Sequence, residues 1–216
     1  DFDLLTELGL SPHTERYHLG FMGCYAAFPA LRMAQQFCAA TPGAVVLVVC
    51  VELCSLHLQI RPDHDSLLGN ALFADGAAAA VVSSRRPTLP VPHFALDQFV
   101  TSIAPQSEKE MAWEIGDRGF DLVLSSYVPR VIGANLAAIV NDTLVRSGLN
   151  REDIDQWAIH PGGKAILDRV ASSLGLADGQ LDRSRDVLRE FGTMSSPTVL
   201  FVLRRILDAA PGPGPT

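Results

Sequence analysis

Cys24 follows a glycine at the point where an amphipathic helical pattern begins, in the run Gly20-Phe21-Met22-Gly23-Cys24-Tyr25-Ala26-Ala27. First-turn backbone N–H groups lack intrahelical partners and carry partial positive charge, a setting that favours a thiolate. Cysteines so placed can have a pKa well below the free value of about 8.5. The same residue also fits the role of a small buried hydrophobe. A second reactive candidate is His160, in Gln156-Trp157-Ala158-Ile159-His160-Pro161-Gly162-Gly163. It ends an apolar run that reads as a strand, and a histidine at a strand tip faces the gap where sheet enzymes place chemistry. A satisfied core or surface histidine is the alternative. Two glycines before a helix favour the first reading, because they let a ligand come close to the backbone. A thiol and an imidazole in these places form a nucleophile–base pair if the fold joins them. Glu52, at the end of an apolar run, is either a hydrogen-bond acceptor behind such a pair or the point where a strand meets water. His57 and His64 stand seven apart on a polar segment, with no cysteine or second carboxylate to complete a zinc set, so no metal site is expected.

The elements that must position these residues alternate between strand and helix patterns. Leu4, Leu5, Leu8 and Leu10 predict a short helix, stopped by Gly9 and Ser11-Pro12. Tyr17 to Phe21 reads as a strand, followed by a helix with Leu31, Ala34 and Phe37/Cys38 on its apolar face. Ala44 to Val51 is a β-branched run, the pattern of a strand buried on both faces. Residues 55–66 read as an irregular polar loop. Asp75-Gly76 predicts a turn, and the alanine/valine run after it a closely packed strand. Residues 84–93 read as a linker. Phe94 to Ile103 and Asp121 to Leu124 read as extended. Val128 to Gly148 is the longest helical pattern, with Val131, Ala134, Ala138, Ile139 and Leu144/Val145 on its apolar face. Asn150 can cap a short helix over 151–155. Helices are expected over 164–174, 183–190 and 198–207, with a turn at Gly192-Thr193-Met194-Ser195-Ser196-Pro197 before the last.

Composition sets outer limits. Nearly half the residues are hydrophobic, so a sizeable core can form. A net charge of −7 argues against a nucleic-acid or anionic-membrane surface. No apolar run reaches the roughly 20 residues of a membrane span. Asp1-Phe2-Asp3-Leu4 lacks a signal peptide's basic start, and four irregularly spaced cysteines do not form a disulfide framework, so a cytoplasmic location is expected. The ending Pro211-Gly212-Pro213-Gly214-Pro215 reads as a linker.

Taken in order, GCYAA…LRMA, VLVVCVEL, DSLLGNALFADGAAAAVV, SIAPQSE, WAIHPGGKAILD and GTMSSPTVLFVL resemble the chalcone synthase-like type III polyketide synthases. WEIGDRGFDLVLSSYVP is closer to the bacterial alkylpyrone and alkylresorcinol synthases. The resemblance implies an α/β fold, the thiolase-like αβαβα layered sandwich of two similar halves. Residues 1–84 would end the first half, 85–92 link, and 93–216 give most of the second, so that the chain is a fragment. It implies a catalytic Cys24 and His160, with Thr193 at the family's asparagine position. Phe73 and Leu122 match the pair that gates the plant pocket. Cys54, His57 and Trp113 fall where the family shapes its cavity, and Pro161, Gly162, Gly163 and Ser195 lie in turns bordering the substrate. The implied activity loads a starter acyl-CoA on Cys24 and extends it by decarboxylative condensation with malonyl-CoA, in a homodimer, to a pyrone or resorcinol-type product. No cofactor is implied beyond these coenzyme A thioesters. Thr193 leaves a second reading open, a non-catalytic or acyl-transfer-only paralogue that serves as a dimer partner or acyl binder.

Overall fold

The fold is a computed structural model that describes residues 1–88, 91–105, 107–117, 119–125 and 127–209. Leu89 and Pro90 of the linker, and the Pro-Gly repeat from 211 to 215, lie outside the described residues. α1 (Phe2–Glu7) starts at Asp1, whose carboxylate accepts the Phe2 N–H. Residues 17–21 are not a strand. Tyr17 stacks on Phe37 at 5.0 Å instead, and Phe21 takes a φ of 59°, which no ladder accommodates. A single 3₁₀ turn, Gly23–Tyr25, carries Cys24 directly into α2 (Ala27–Ala40). α2 buries Ala27, Leu31, Ala34 and Cys38, one stripe at helical spacing.

That stripe packs on an antiparallel pair, β1 (Val45–Glu52) and β2 (Gly76–Ser83), in register from Val45 opposite Ser83 to Glu52 opposite Gly76. Val48 and Cys50 of β1 meet Ala27, Leu31 and Ala34, with Ala78 and Ala80 of β2 alongside. α7 (Thr198–Ala209) adds Val199 and Leu200 to the same cluster. Alanines at these positions let two helices lie close to the strands. The other face of β1 corrects the expectation of burial on both sides. Val45, Leu47, Val49 and Val51 are exposed, because among the described residues no cluster covers them. Period-2 burial follows.

The polar stretch after β1 contains a helix, α3 (His64–Leu72), where a loop through residue 66 is expected. Asp63 caps it by accepting the Ser66 N–H. Residues 94–103 are likewise irregular rather than a strand. The Gln35 amide donates to the Leu96 and Asp97 carbonyls, and Leu96 and Phe99 pack against the α2 core. A hairpin follows, β3 (Met111–Gly116) with β4 (Gly119–Leu124), of which the sequence pattern identifies only the second strand. α4 (Val128–Ser147) ends at Gly148, whose φ of 66° places it in the left-handed region that closes the helix. Its packing face is Ile132, Leu136 and Val140, against Leu167, Val170 and Leu174 of α5 (Lys164–Leu174). Ala134 and Ala138, expected on that face, are exposed. The rotation follows Gly133, where an added Cβ would lie 2.5 Å from Arg169 Cδ. Asn150 and Asp153 form a reciprocal cap on a turn over Arg151–Asp153. Among the described residues, 156–160 have no ladder partner. Ser184 of α6 (Asp182–Phe191) donates to the Ile159 carbonyl at 2.7 Å, so a side chain holds the segment where a strand is expected.

Gly76 shows how tightly β2 meets the turn after α6. A Cβ there would lie 2.4 Å from Met194 Sδ and 2.8 Å from its Cβ, and Met194 is buried. Gly76→Ala must therefore push the whole methionine aside. We expect a loss of about 1–3 kcal/mol in urea unfolding, the usual cost of overpacking. An unchanged midpoint would mean that the turn yields freely.

Candidate active site

The residues that order these elements converge on a cavity of about 1700 Å³, bordered by segments from both halves of the chain. Cys24 reaches it from the 3₁₀ turn, His160 from the segment that Ser184 holds, and Thr193 from the turn between α6 and α7. Thr193 is fixed by two backbone bonds. Its N–H donates to the Leu72 carbonyl and its carbonyl accepts the Ala74 N–H, each at 2.9 Å. Gly192 makes this possible, since a Cβ there would meet the Leu72 oxygen at 3.0 Å. The turn continues with Ser195 at a φ of 60°, held by Thr198 Oγ1, which accepts the Met194 N–H and donates to the Ser195 carbonyl. Ser196 donates to Glu52 Oε1 at 2.6 Å. Of the two roles open to Glu52, the structure thus shows the acceptor behind the site.

Three buried polar atoms at this cavity have no hydrogen-bond partner among the described residues: His160 Nδ1, His160 Nε2 and Thr193 Oγ1. Burial of unsatisfied groups is costly, and in native folds they cluster where a ligand supplies the missing bonds. Burial also governs the charges. It pushes the Cys24 thiol above its ordinary value, with the Ser195 side chain pulling the other way and the Glu52 carboxylate adding to the rise. It lowers the His160 imidazole to about 4. The site therefore favours a neutral thiol and a neutral imidazole. This differs from the depressed cysteine pKa expected from helix geometry alone: Cys24 sits one turn ahead of α2, and burial is the largest influence on its thiol.

The lowered His160 has a consequence for stability. Between about pH 6.5 and 4 the unfolded chain binds a proton that the folded chain refuses, so folding weakens as pH falls through that window and levels off below it. The contribution is on the order of 3 kcal/mol. His160→Gln is expected to flatten that part of the stability curve, compared with the parent chain by urea unfolding at each pH. Parallel curves would show that His160 is not held neutral.

The remaining sequence candidates are distributed as follows. Phe73 bridges to Thr193 just after α3, and Leu122 packs where Gly69 leaves room, 3.2 Å from its Cβ position. Cys54 and His57 occupy the short turn after β1, fixed by Asp75, which accepts from the Ser55 N–H and Oγ at 2.7 Å. Burial, with Glu52 and Asp75 nearby, raises the Cys54 thiol to about 11. Trp113 meets the His57 ring at 4.9 Å. Gly162 lies under the His160 ring, and Gly163 and Ser195 complete that wall. All of these border the cavity; Pro161 does not. It is fully buried, and its ring fixes the backbone beside His160 rather than touching the space. Sequence reasoning omits Phe21 and Phe120, which also border the cavity and touch each other at 5.7 Å. The apolar–polar–apolar order Phe120-Asp121-Leu122 in β4, which sets Phe120 on the same face as Leu122, is the signal that points to it. Among the described residues no cluster of His, Cys, Asp and Glu could hold a metal ion, and no helix is long and apolar enough to cross a membrane.

Comparison with known proteins gives the same picture at larger scale. The family profile of chalcone and stilbene synthases matches in two parts, the N-terminal domain over residues 1–86 and the C-terminal domain over 93–211. The chain is 35% identical to the alpha-pyrone synthesis polyketide synthase-like Pks18 of Mycobacterium tuberculosis, over 97% of this chain and 54% of that protein. Its fold is similar to the crystal structure of PKS-I from the brown alga Ectocarpus siliculosus, with a TM-score of 0.90 and 35% identity, covering 95% of this chain and 55% of that one. It is also similar to 1,3,6,8-tetrahydroxynaphthalene synthase from Streptomyces coelicolor, a bacterial type III polyketide synthase, with a TM-score of 0.89 and 31% identity over 97% of this chain and 59% of that one. The chain spans a little over half the length of these relatives. With both domain profiles matched in order and the thiolase-like layers of these structures reproduced over that length, the chain belongs to the chalcone and stilbene synthase family, the type III polyketide synthases.

Proposed function

We propose that this chain carries the reaction centre of a type III polyketide synthase, which loads a starter acyl group from acyl-CoA onto Cys24 and extends it with malonyl-CoA to a pyrone or resorcinol-type product. The observation that carries the reading is the set of unpartnered atoms on His160 and Thr193, buried at the cavity that Cys24 borders. A neutral imidazole can accept the Cys24 proton, and the charge pair so formed is strengthened by its desolvated setting. Cys24 Sγ then attacks the acyl thioester, and the coenzyme A thiolate leaves. Malonyl-CoA loses carbon dioxide, leaving an enolate whose oxygen needs donors; His160 N–H supplies one and Thr193 Oγ–H the second. The enolate carbon attacks the Cys24 thioester and releases the cysteine thiolate. Decarboxylation itself generates the carbanion, so the reading needs no resident cofactor or metal. Four free cysteines suit a reducing cytoplasm, and the family resemblance implies a homodimer.

The test is intact mass spectrometry of the chain after incubation with a panel of acyl-CoAs, followed by malonyl-CoA. The expected result is a single acyl adduct that maps to Cys24 and that malonyl-CoA converts to a longer product. No adduct on any acyl-CoA would sink the proposal.

A further inference from the structure

The unassigned feature of this cavity is an aromatic cluster with Phe120 at its centre. The Phe120 ring stands edge-on to three others: Phe21 at 5.7 Å and 66°, His57 at 6.0 Å and 73°, and Trp113 at 6.0 Å and 80°. All four rings border the cavity. They come from three separate parts of the fold: the segment before the Cys24 turn, the turn after β1, and the β3–β4 hairpin. Phe120 is the one ring that touches all the others.

Phe21 adds a second observation. It holds a φ of 59°, a backbone state that L residues with bulky side chains rarely adopt, and it is 83% exposed. Phe21 lies three residues upstream of the candidate nucleophile, and its ring meets Phe120. Such a conformation persists only where surroundings hold it. The Phe21–Phe120 contact joins the Cys24 segment to the hairpin at the border of the cavity. Edge-to-face pairs of this kind contribute beyond their buried area.

The geometry points to Phe120 as a specificity-determining residue. Its ring, braced on Phe21, His57 and Trp113, forms the wall against which the acyl group on Cys24 lies, and so limits the bulk of the starter that is accepted. This rests on the acyl-loading reading above and adds to it the residue that sizes the substrate, and the class of substrate sized: apolar acyl thioesters distinguished by chain length. Ring edges and faces from Phe21, Trp113 and Phe120 give this wall an apolar surface, which suits an aliphatic tail.

Truncating the ring opens space for several methylenes, and one methylene in an apolar pocket discriminates by roughly tenfold or more. The experiment offers the chain equimolar pairs of a short and a long acyl-CoA, hexanoyl and palmitoyl, and reads the two Cys24 adducts by intact mass. Phe120→Ala is expected to raise the palmitoyl-to-hexanoyl ratio by about tenfold or more. Phe120→Leu, which keeps an apolar side chain and guards against misfolding, is expected to shift it in the same direction by less. Unfolding curves confirm that each variant retains its fold. Adducts that form at an unchanged ratio in both variants would overturn the role of Phe120 and leave acyl loading standing. Absence of any adduct in the unsubstituted chain would overturn both.

Discussion

Cys24→Ala is expected to lower acyl loading from coenzyme A thioesters by at least about a hundredfold, to the limit of detection by intact mass. The strength of this expectation comes from what the other cysteines can do. Cys38 and Cys50 are buried in the α2–β1 core. Cys54 borders the same cavity, so it is the one thiol placed to substitute. Its thiol, however, is raised to about 11, which leaves about one molecule in ten thousand as thiolate at neutral pH. Burial raises Cys24 as well, with the Ser195 side chain pulling the other way, so place rather than acidity sets the two thiols apart: Cys24 stands on the turn that opens into α2. Loading should also climb with pH as the Cys24 thiolate fraction grows, because burial holds that thiol above its ordinary range. Residual loading of Cys24→Ala, located on Cys54, would show that the cavity rather than one position selects the nucleophile. Adding Cys54→Ser to the parent chain is the control: it should leave loading within a few-fold of the original.

How far the sequence reaches is best seen by comparing two kinds of segment. α2, α5 and α7 are legible because each carries its own evidence, an apolar stripe and a stop signal. β1 and β2 are legible from β-branched and small side chains. The runs at 17–21, 94–103 and 156–160 have the same apolar character, yet none pairs. Composition can favour an extended chain, but a ladder needs a partner, and the Gln35 amide and the Ser184 hydroxyl take carbonyls that a neighbouring strand would have used. α3 is masked in the sequence although Pro62-Asp63 with Ser66 is a capping signal, since Gly69 and Asn70 weaken the helical pattern. At the site, Cys24 and His160 are legible from residue type and place in the pattern, and Thr193 from motif resemblance. The state of their protons is not, because desolvation depends on what the whole fold packs around them.

Thr193→Val is expected to separate folding from chemistry, moving them in opposite directions. Thr193 is fully buried, and its Oγ1 has no partner among the described residues. Its place in the fold is secured through its backbone, by Leu72 and Ala74. Valine has nearly the same shape, so the substitution removes an unsatisfied hydroxyl without opening a cavity. Stability should stay level or rise, by up to about 1–3 kcal/mol, the cost of leaving such a group unpaired. Condensation should fall instead. Loss of one oxyanion donor typically costs about 10²–10³ in rate, and Thr193 Oγ–H is the donor proposed beside His160. Loading depends on Cys24 and His160, so the Cys24 adduct should still form at close to the original rate. The measurement is therefore threefold: urea unfolding, adduct formation by intact mass, and carbon dioxide release from malonyl-CoA on the loaded chain. If carbon dioxide release persists unchanged while the adduct forms, the threonine hydroxyl is not the second donor. A fall in stability of several kcal/mol would show that the hydroxyl contributes to folding and is not an unpaired cost. Unchanged or raised stability together with slowed carbon dioxide release would mark the unpaired hydroxyl as a cost to folding that the proposed reaction offsets.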